Sequence, residues 1–486
     1  MTRSNTATIK GGYTSINEQT QSAPLPIYKY YGNNIDETIK DDPFPTPKNY
    51  FPRRFFMIGL GFWGIMLCYI IRVTISVSII PMKTEYGWDD TYKGILLAGF
   101  FMGYVFTQIP AHFLCNYFGG KRVLLVGLFV STAMNILVPV ASVNKVAIVI
   151  VRVITGLFQG IAFPTTNWLI KKWFPLSQRS TSAAIIWSGV YIGTILADYT
   201  APVIIETVGW KNIFYIYGAI GMAWCICWAI LIKDDPKDAW GIHPNEVAFI
   251  KSDQDQPNPA TQLLLSTQLD GAEPVQAELS FLDVTRRLLK SKSMWALLYY
   301  NLTTSWGFYL LLMWYPTWVT DVAGVTGNLL SFYIVLPYIL CFIWANLAGV
   351  ISDKLFTKGI LKKTTLRKIF GGLAGGLPGV CLIIVAYAPL SVGGKIFFMT
   401  IGISGSGFSG QGANIVTLDM APSHSSVTMG ISNMVATIPG ILGNLIAGVL
   451  LTKFGGSWTP IFMISSSFYL SAVIVWVIFI SAKIVV

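Results

Sequence analysis

The chain repeatedly runs apolar for long enough to cross the hydrocarbon of a bilayer, which takes a helix of about 20 residues. These runs recur from residue 55 to residue 482, and no other feature narrows the fold so far. Lipid offers no partner to a backbone N–H or C=O, so an apolar segment of this length must satisfy its own as a helix. Twelve spans are expected, near 55–80, 93–116, 122–142, 145–173, 180–206, 210–232, 293–320, 327–352, 367–388, 393–418, 424–451 and 457–482. Composition points the same way: 53% of the 486 residues are hydrophobic and 12% charged, too apolar for an ordinary soluble domain. The expected class is all-α, a polytopic membrane protein.

A polar stretch between the sixth and seventh spans divides them six and six. This gives a tail over 1–54, an N-terminal half over 55–232, a linker over 233–292 and a C-terminal half over 293–486. Two six-helix halves place a binding site between them, near the membrane midplane. The linker segments 243–250 and 286–290 are expected as short helices on the membrane surface. The tail is rich in Ser, Thr, Asn, Gln and Pro, and is expected to be disordered and cytoplasmic. Its first 50 residues lack the pattern of a cleavable signal, so the first span is expected to direct insertion. Within it, Gly12-Tyr13-Thr14-Ser15-Ile16 resembles the tyrosine-based sorting signals of endosomal and lysosomal membrane proteins; it also fits tail filler. The choice between an endolysosomal or vesicular membrane and the plasma membrane stays open.

The net charge of +11 does not point to nucleic acid, because the cations sit in short loops between apolar spans. Lys121, Arg122, Lys171, Lys172, Arg179, Lys354, Lys358, Lys362, Lys363, Arg367 and Lys368 share one side with the amino terminus. Lys83, Lys93, Lys145, Lys211, Lys395 and Lys453 lie on the other. This bias predicts both termini in the cytoplasm. The six cysteines fall in or at the ends of apolar spans, and the three histidines show no ligand spacing, so no metal or other cofactor is expected. A membrane enzyme would need clustered acids, histidine ligands or a nucleophile facing a cavity, and none is evident.

Lys145–Trp173 concentrates the functional signal. Arg152 stands about a third of the way along this span, and a cation at such depth costs about 2.5–3.5 kcal/mol on insertion scales. Gly156, Gly160 and Pro164 follow at four-residue intervals. The glycines allow a neighbouring helix to approach closely, and the proline frees a carbonyl and can kink the span. The helix is therefore expected inside a bundle. Arg152 then faces a ligand, or it is paired internally to lock two helices.

Two loops carry a repeated pattern. Residues 349–354 read GVISDK, and 112–122 read HFLCNYFGGKR at the matching place of the first half. Both resemble the GxxxD(R/K)xxG(R/K) loop of the major facilitator superfamily, in which it holds the halves together in one state. Gly349, Asp353 and Lys354 match; the first copy lacks its Gly, Asp and first Arg. Five further stretches, TQIP (107–110), WFPLSQRS (173–180), TTLRKI (364–369), GANIVTLDMAP (412–422) and GISNMVATIPG (430–440), resemble the anion:cation symporter branch. That branch includes sialin, the vesicular glutamate transporters and the type I sodium–phosphate cotransporters. The resemblance covers about 55–482. It implies a central cavity, alternating access, a small anionic substrate, and H+ or Na+ coupling or a potential-driven cycle. On it, Arg72 and Arg152 match the arginines of spans 1 and 4, and Tyr309 and Asn414 match cavity positions; Tyr309 also fits simple packing.

Departures from the branch limit that picture. Its coupling glutamates in span 4 fall here at Thr155 and Gln159, neither of which titrates. The second-half arginine of vesicular glutamate transporters falls at Thr304, and their two histidines at Leu97 and Thr417. Vesicular glutamate transport is thereby disfavoured, and Gln159 and Thr304 become candidate substrate contacts. Asp198, deep in span 5, is the conspicuous acid: it pairs with an arginine, carries a proton, or sits near the outer interface. The sequence reading is thus a secondary anion transporter. A transport-dead sensor or scaffold of the same fold is the alternative.

Overall fold

The computed structural model describes residues 47, 49–108, 110–252, 281–421 and 425–485. The Tyr13 pattern, most of the tail, the middle of the linker and His424 lie outside them. In the first half, α1 (Arg54–Tyr86) is the first span, α2 (Asp90–Thr107) and α3 (Pro110–Phe118) the second, and α4 (Gly120–Ala141) the third. The fourth is α5 (Lys145–Gln159) and α6 (Ala162–Trp173), the fifth α7 (Leu176–Val208) and the sixth α8 (Trp210–Leu231). The linker carries α9 (Pro244–Lys251) and α10 (Phe281–Leu289), so both of its expected helices are present. In the second half come α11 (Lys292–Ala323), α12 (Gly327–Thr357) and α13 (Lys363–Tyr387). The tenth span is α14 (Val392–Ser404), a 3-10 turn over Gly405–Gly410 and α15 (Ala413–Met420). The last two are α16 (Ser425–Lys453) and α17 (Thr459–Phe479).

Local chemistry sets several of these ends. α1 stops at Gly87, whose φ of 62° is left-handed, and the Gly87 N–H donates to the Lys83 carbonyl, as a glycine C-cap does. α2 starts where the Asp89 carboxylate accepts from the Tyr92 N–H. Asn144 does the same for Val146 and Ala147 at the start of α5, occupying donors that a helix N-terminus leaves free. The fourth span breaks at Gly160 and Ile161, where Pro164 cannot donate to the preceding turn.

Nine helices among the described residues are long and apolar enough to span a membrane by length and composition. The second, seventh and tenth spans complete the twelve. The second and tenth are broken into pieces, and α11 is crowded with Trp, Tyr and Thr. Val126, Phe129, Ile226, Ile230, Ile474 and Ile478 stand exposed on the outer faces of α4, α8 and α17. Apolar side chains turned outward in this way suit lipid, not water.

One packing scheme is used twice. In the first half α1 packs on α7, α2 on α5 and α4 on α8; in the second α11 packs on α16, α12 on α14 and α13 on α17. These are spans 1 on 5, 2 on 4 and 3 on 6, then 7 on 11, 8 on 10 and 9 on 12. The halves meet along two principal seams, α2 against α16 and α7 against α12. Along the first, Thr91 Oγ1 meets Thr452 Oγ1 at 2.9 Å, Gln108 Nε2 donates to Thr437 Oγ1 at 2.8 Å and Asn433 Nδ2 donates to Gln108 Oε1 at 2.7 Å. Buried Lys93 crosses from α2 to Thr317 of α11.

The linker is tied to the chain just before α1. Glu246 of α9 accepts from the Tyr50 hydroxyl, from the Arg53 N–H at 2.9 Å and from Arg54 Nη1 at 3.3 Å. Burial and this carboxylate raise the Tyr50 phenol above its ordinary value. The ordered chain therefore extends back into the segment that the sequence assigns to the tail.

Candidate functional site

Arg72 of α1 and Arg152 of α5 come together in the interior of the first half, each 1% exposed. Neither has a carboxylate within ion-pairing distance among the described residues. Aromatic faces surround them instead. The Arg72 guanidinium lies over the rings of Tyr69 at 4.5 Å, Phe100 at 4.6 Å and Tyr104 at 4.8 Å. Arg152 lies over Phe100 at 5.4 Å, so the two cations share that ring. Arg152 Nη1 and Nη2 donate weakly to the carbonyls of Ile71 at 3.5 Å and Arg72 at 3.4 Å. The Nε of both arginines has no hydrogen-bond partner.

Close helix packing makes this arrangement possible. A Cβ added at Gly156 would collide with the Phe100 carbonyl oxygen, and one at Gly160 with Thr107 Oγ1 and the Tyr104 carbonyl. Only glycine at these places lets α5 lie against α2, which brings Arg152 to Phe100. Four desolvated contacts between guanidinium and ring hold the charges; each such contact is worth about 2 kcal/mol when water is excluded. The face of a ring attracts a cation without neutralising it. The pair therefore keeps two positive charges, and unused donors, in a buried interior.

Gln159 lies two turns beyond Arg152 on the same stripe of α5. It is 1% exposed, and both its amide nitrogen and its amide oxygen lack partners. Thr155, between them, donates to the Val151 carbonyl at 2.7 Å. Tyr309 of α11 reaches the cluster from the second half: its ring is 4.7 Å from that of Phe101, and its hydroxyl is within electrostatic reach of Arg72, Tyr69 and Tyr104. Arg72, Arg152 and Tyr309 thus occupy one region, and Gln159 lies two turns along α5 from it.

The structure places the other sequence candidates elsewhere. Thr304 is half-buried, donates to the Tyr300 carbonyl at 2.7 Å and faces Gly375 of α13. Asn414 is exposed on α15. Gly349 and Lys354 lie at the end of α12. A Cβ at Gly349 would come 3.4 Å from Gln411 Nε2, and Lys354 is exposed; the Asp353 side chain is outside the described residues. Asp198 of α7 is 2% exposed and forms no ion pair among the described residues. Asp419 lies in α15 and is 7% exposed; it binds Arg367 Nε at 2.8 Å and Lys363 Nζ at 2.8 Å.

Sequence reasoning missed Tyr69, Phe100 and Tyr104. Tyr69 stands one turn before Arg72, and Phe100 and Tyr104 stand one turn apart on α2. That spacing was the available signal. Aromatic residues in apolar spans otherwise pass for packing or interfacial anchors.

Comparison with known proteins agrees with this architecture. The family model of the Major Facilitator Superfamily matches residues 61–444. The chain is 30% identical to the sodium-dependent phosphate transport protein 1, chloroplastic, of Arabidopsis thaliana, over 93% of this chain and 84% of that protein. It is 29% identical to the vesicular glutamate transporter 1 of Bos taurus, over 89% of this chain and 78% of that protein. A bacterial homologue of the human lysosomal transporter Spinster, solved inward-facing and occupied, superposes with a TM-score of 0.66 at 14% identity. That match covers 88% of this chain and 97% of the other. These relatives are transporters, not enzymes.

Proposed function

Because this chain belongs to the Major Facilitator Superfamily, in its anion:cation symporter branch, we propose that it carries a small anion bound between Arg72 and Arg152. One observation carries this reading: two buried guanidiniums share an aromatic ring and have no carboxylate beside them among the described residues. A carboxylate or phosphate would accept from their unused donors through charge-assisted hydrogen bonds, the strong class. Tyr309 adds a hydroxyl from the second half, so a bound anion touches both halves. Gln159 adds an amide that can donate or accept without carrying charge. Asn414 and Thr304 line the path in this reading, and the helical Gly349–Lys354 stretch at the end of α12 stabilises one of the two states.

Transport follows from differential contact. An anion bridging Arg72 or Arg152 and Tyr309 favours the arrangement in which the halves close around it. Release on the other face follows when that arrangement rocks open. A proton or sodium gradient, or the membrane potential acting on net charge, supplies the drive. The bias of Lys and Arg between loops supports cytoplasmic termini.

Liposomes containing the purified protein test the reading with labelled inorganic phosphate and labelled L-glutamate under imposed gradients. Saturable uptake of at least one is expected, and Arg152→Ala should abolish it. Uptake that survives Arg152→Ala unchanged removes the site. Binding without translocation identifies a sensor instead.

A further inference from the structure

Asp198 is a second buried ionisable group, and the arginine site makes no use of it. It lies in α7, on the seam that α7 forms with α12 of the other half. Its Oδ1 is buried and has no hydrogen-bond partner among the described residues. The groups that face it are phenols: Tyr217 of α8, Tyr315 of α11 and Tyr338 of α12 all lie within electrostatic reach of its carboxyl. Tyr217 shares a hydrogen bond with Thr200 of α7, and Tyr315 donates to the Tyr333 carbonyl at 3.2 Å. No charged side chain from α1 or α6, which also pack on α7, reaches it.

A carboxylate charge in such a place has nothing to offset it, and burying an ion unpaired costs several kcal/mol. The protonated acid carries no charge, and its O–H can donate to a neighbour. A hard metal cation gathers six or more oxygen ligands. One carboxylate and three phenols fall short of that, and no cluster of three acid, histidine or cysteine ligands exists among the described residues.

We propose that Asp198 is the proton-binding site of the transport cycle, set in the α7–α12 seam apart from the anion site at Arg72 and Arg152. This rests on the transporter reading above. While the seam is closed the proton sits on a carboxyl oxygen of Asp198. When the halves part along the seam, water reaches the group; the O–H bond breaks, the proton passes to water and a solvated carboxylate remains. Closing the seam around the anion requires a proton on the group; it is taken up from the face to which the cavity opens and released to water on the other, so one proton crosses with each anion. The three phenols around the group carry no positive charge, so they cannot neutralise the ion.

Infrared difference spectroscopy on the purified full-length protein reads the proton without any substrate. A titrating C=O stretch of a protonated buried carboxylic acid is expected in the wild type. It should be lost in Asp198→Asn and shifted in Asp198→Glu. The same proteins in liposomes should show pH-driven uptake of labelled phosphate or glutamate that is lost in Asp198→Asn, while counterflow of the same anion persists. A titrating band that remains in Asp198→Asn overturns the assignment, and so does pH-driven uptake that survives it. If Asp198→Asn does not fold, the band in Asp198→Glu decides: an unshifted band overturns the proposal. Failure of wild-type uptake for both anions would count against the anion reading, and the infrared result stands independently of it.

Discussion

Each half of the molecule buries arginine, and the two halves treat the charge differently. In the second half Arg367 of α13 is 5% exposed and its Nε meets Asp419 of α15 at 2.8 Å, with Lys363 on the same carboxylate. In the first half Arg72 and Arg152 are more deeply buried and have rings where Arg367 has an acid. Arg367 is neutralised within the protein, and it fixes the packing of α13 against the broken tenth span. The pair in the first half is held by contacts that leave its charge available. Burial alone does not separate the two kinds of arginine; the internal counter-ion at Arg367 does.

The largest expected effect falls on the neutralised arginine. Asp419→Ala leaves Arg367 buried and unpaired, which should remove about 3–5 kcal/mol of stability, seen as a steep drop in the thermal unfolding temperature. Arg152→Ala removes a charge that has no counter-ion among the described residues, and should lower the unfolding temperature by less than Asp419→Ala does. Equal losses in the two variants would break the comparison.

Binding should show the reverse pattern. Arg152→Ala should lower anion affinity by about 2–5 kcal/mol, the range for removing one member of a buried charge pair, which is about 30-fold to several-thousand-fold in Kd. Stabilisation of the folded protein by added phosphate or glutamate measures it. Arg152→Lys keeps the charge but loses the planar fork, and should fall between wild type and alanine. An Asp419→Ala protein that survives in detergent should keep wild-type affinity.

The sequence made some of this legible and hid the rest. Arg72 and Arg152 stand out because a cation in an apolar run is costly, and the break in the fourth span was written in Gly160 and Pro164. The aromatic cage was not legible, since Tyr69, Phe100 and Tyr104 look like ordinary apolar-span residues until three helices converge on one point. The pair of Arg367 with Asp419 spans 52 residues, and both look like loop residues near span ends. Only the packing of α13 on the tenth span makes them neighbours. The twelve spans were readable from apolar runs, although α11 carries many Trp, Tyr and Thr because it lines the interior on several sides.

A glycine tests how the arginine pair is held. Gly156→Ala puts a methyl group against the Phe100 carbonyl, and both sides of that contact are backbone, so neither can rotate away. The expected loss is about 1–3 kcal/mol, as for overpacking elsewhere, again read as a lower unfolding temperature. Affinity should fall with it, because pushing α5 from α2 moves Arg152 off the Phe100 ring.

Thr304→Ala should have the smallest effect, and it sharpens the contrast between the halves. The Thr304 hydroxyl donates to the Tyr300 carbonyl of its own helix at 2.7 Å, and that carbonyl already belongs to the helical ladder, so no buried group is orphaned when the hydroxyl goes. The change in stability should stay within about 0.5 kcal/mol. Anion affinity then reports on one thing: whether the second half contributes a contact at this depth besides Tyr309. A loss smaller than twofold would leave recognition to the two arginines and Tyr309. A tenfold loss, about 1.4 kcal/mol, would require the hydroxyl to leave its own helix and turn to the anion in another state of the cycle, and the second half would then share in recognition as well as closure.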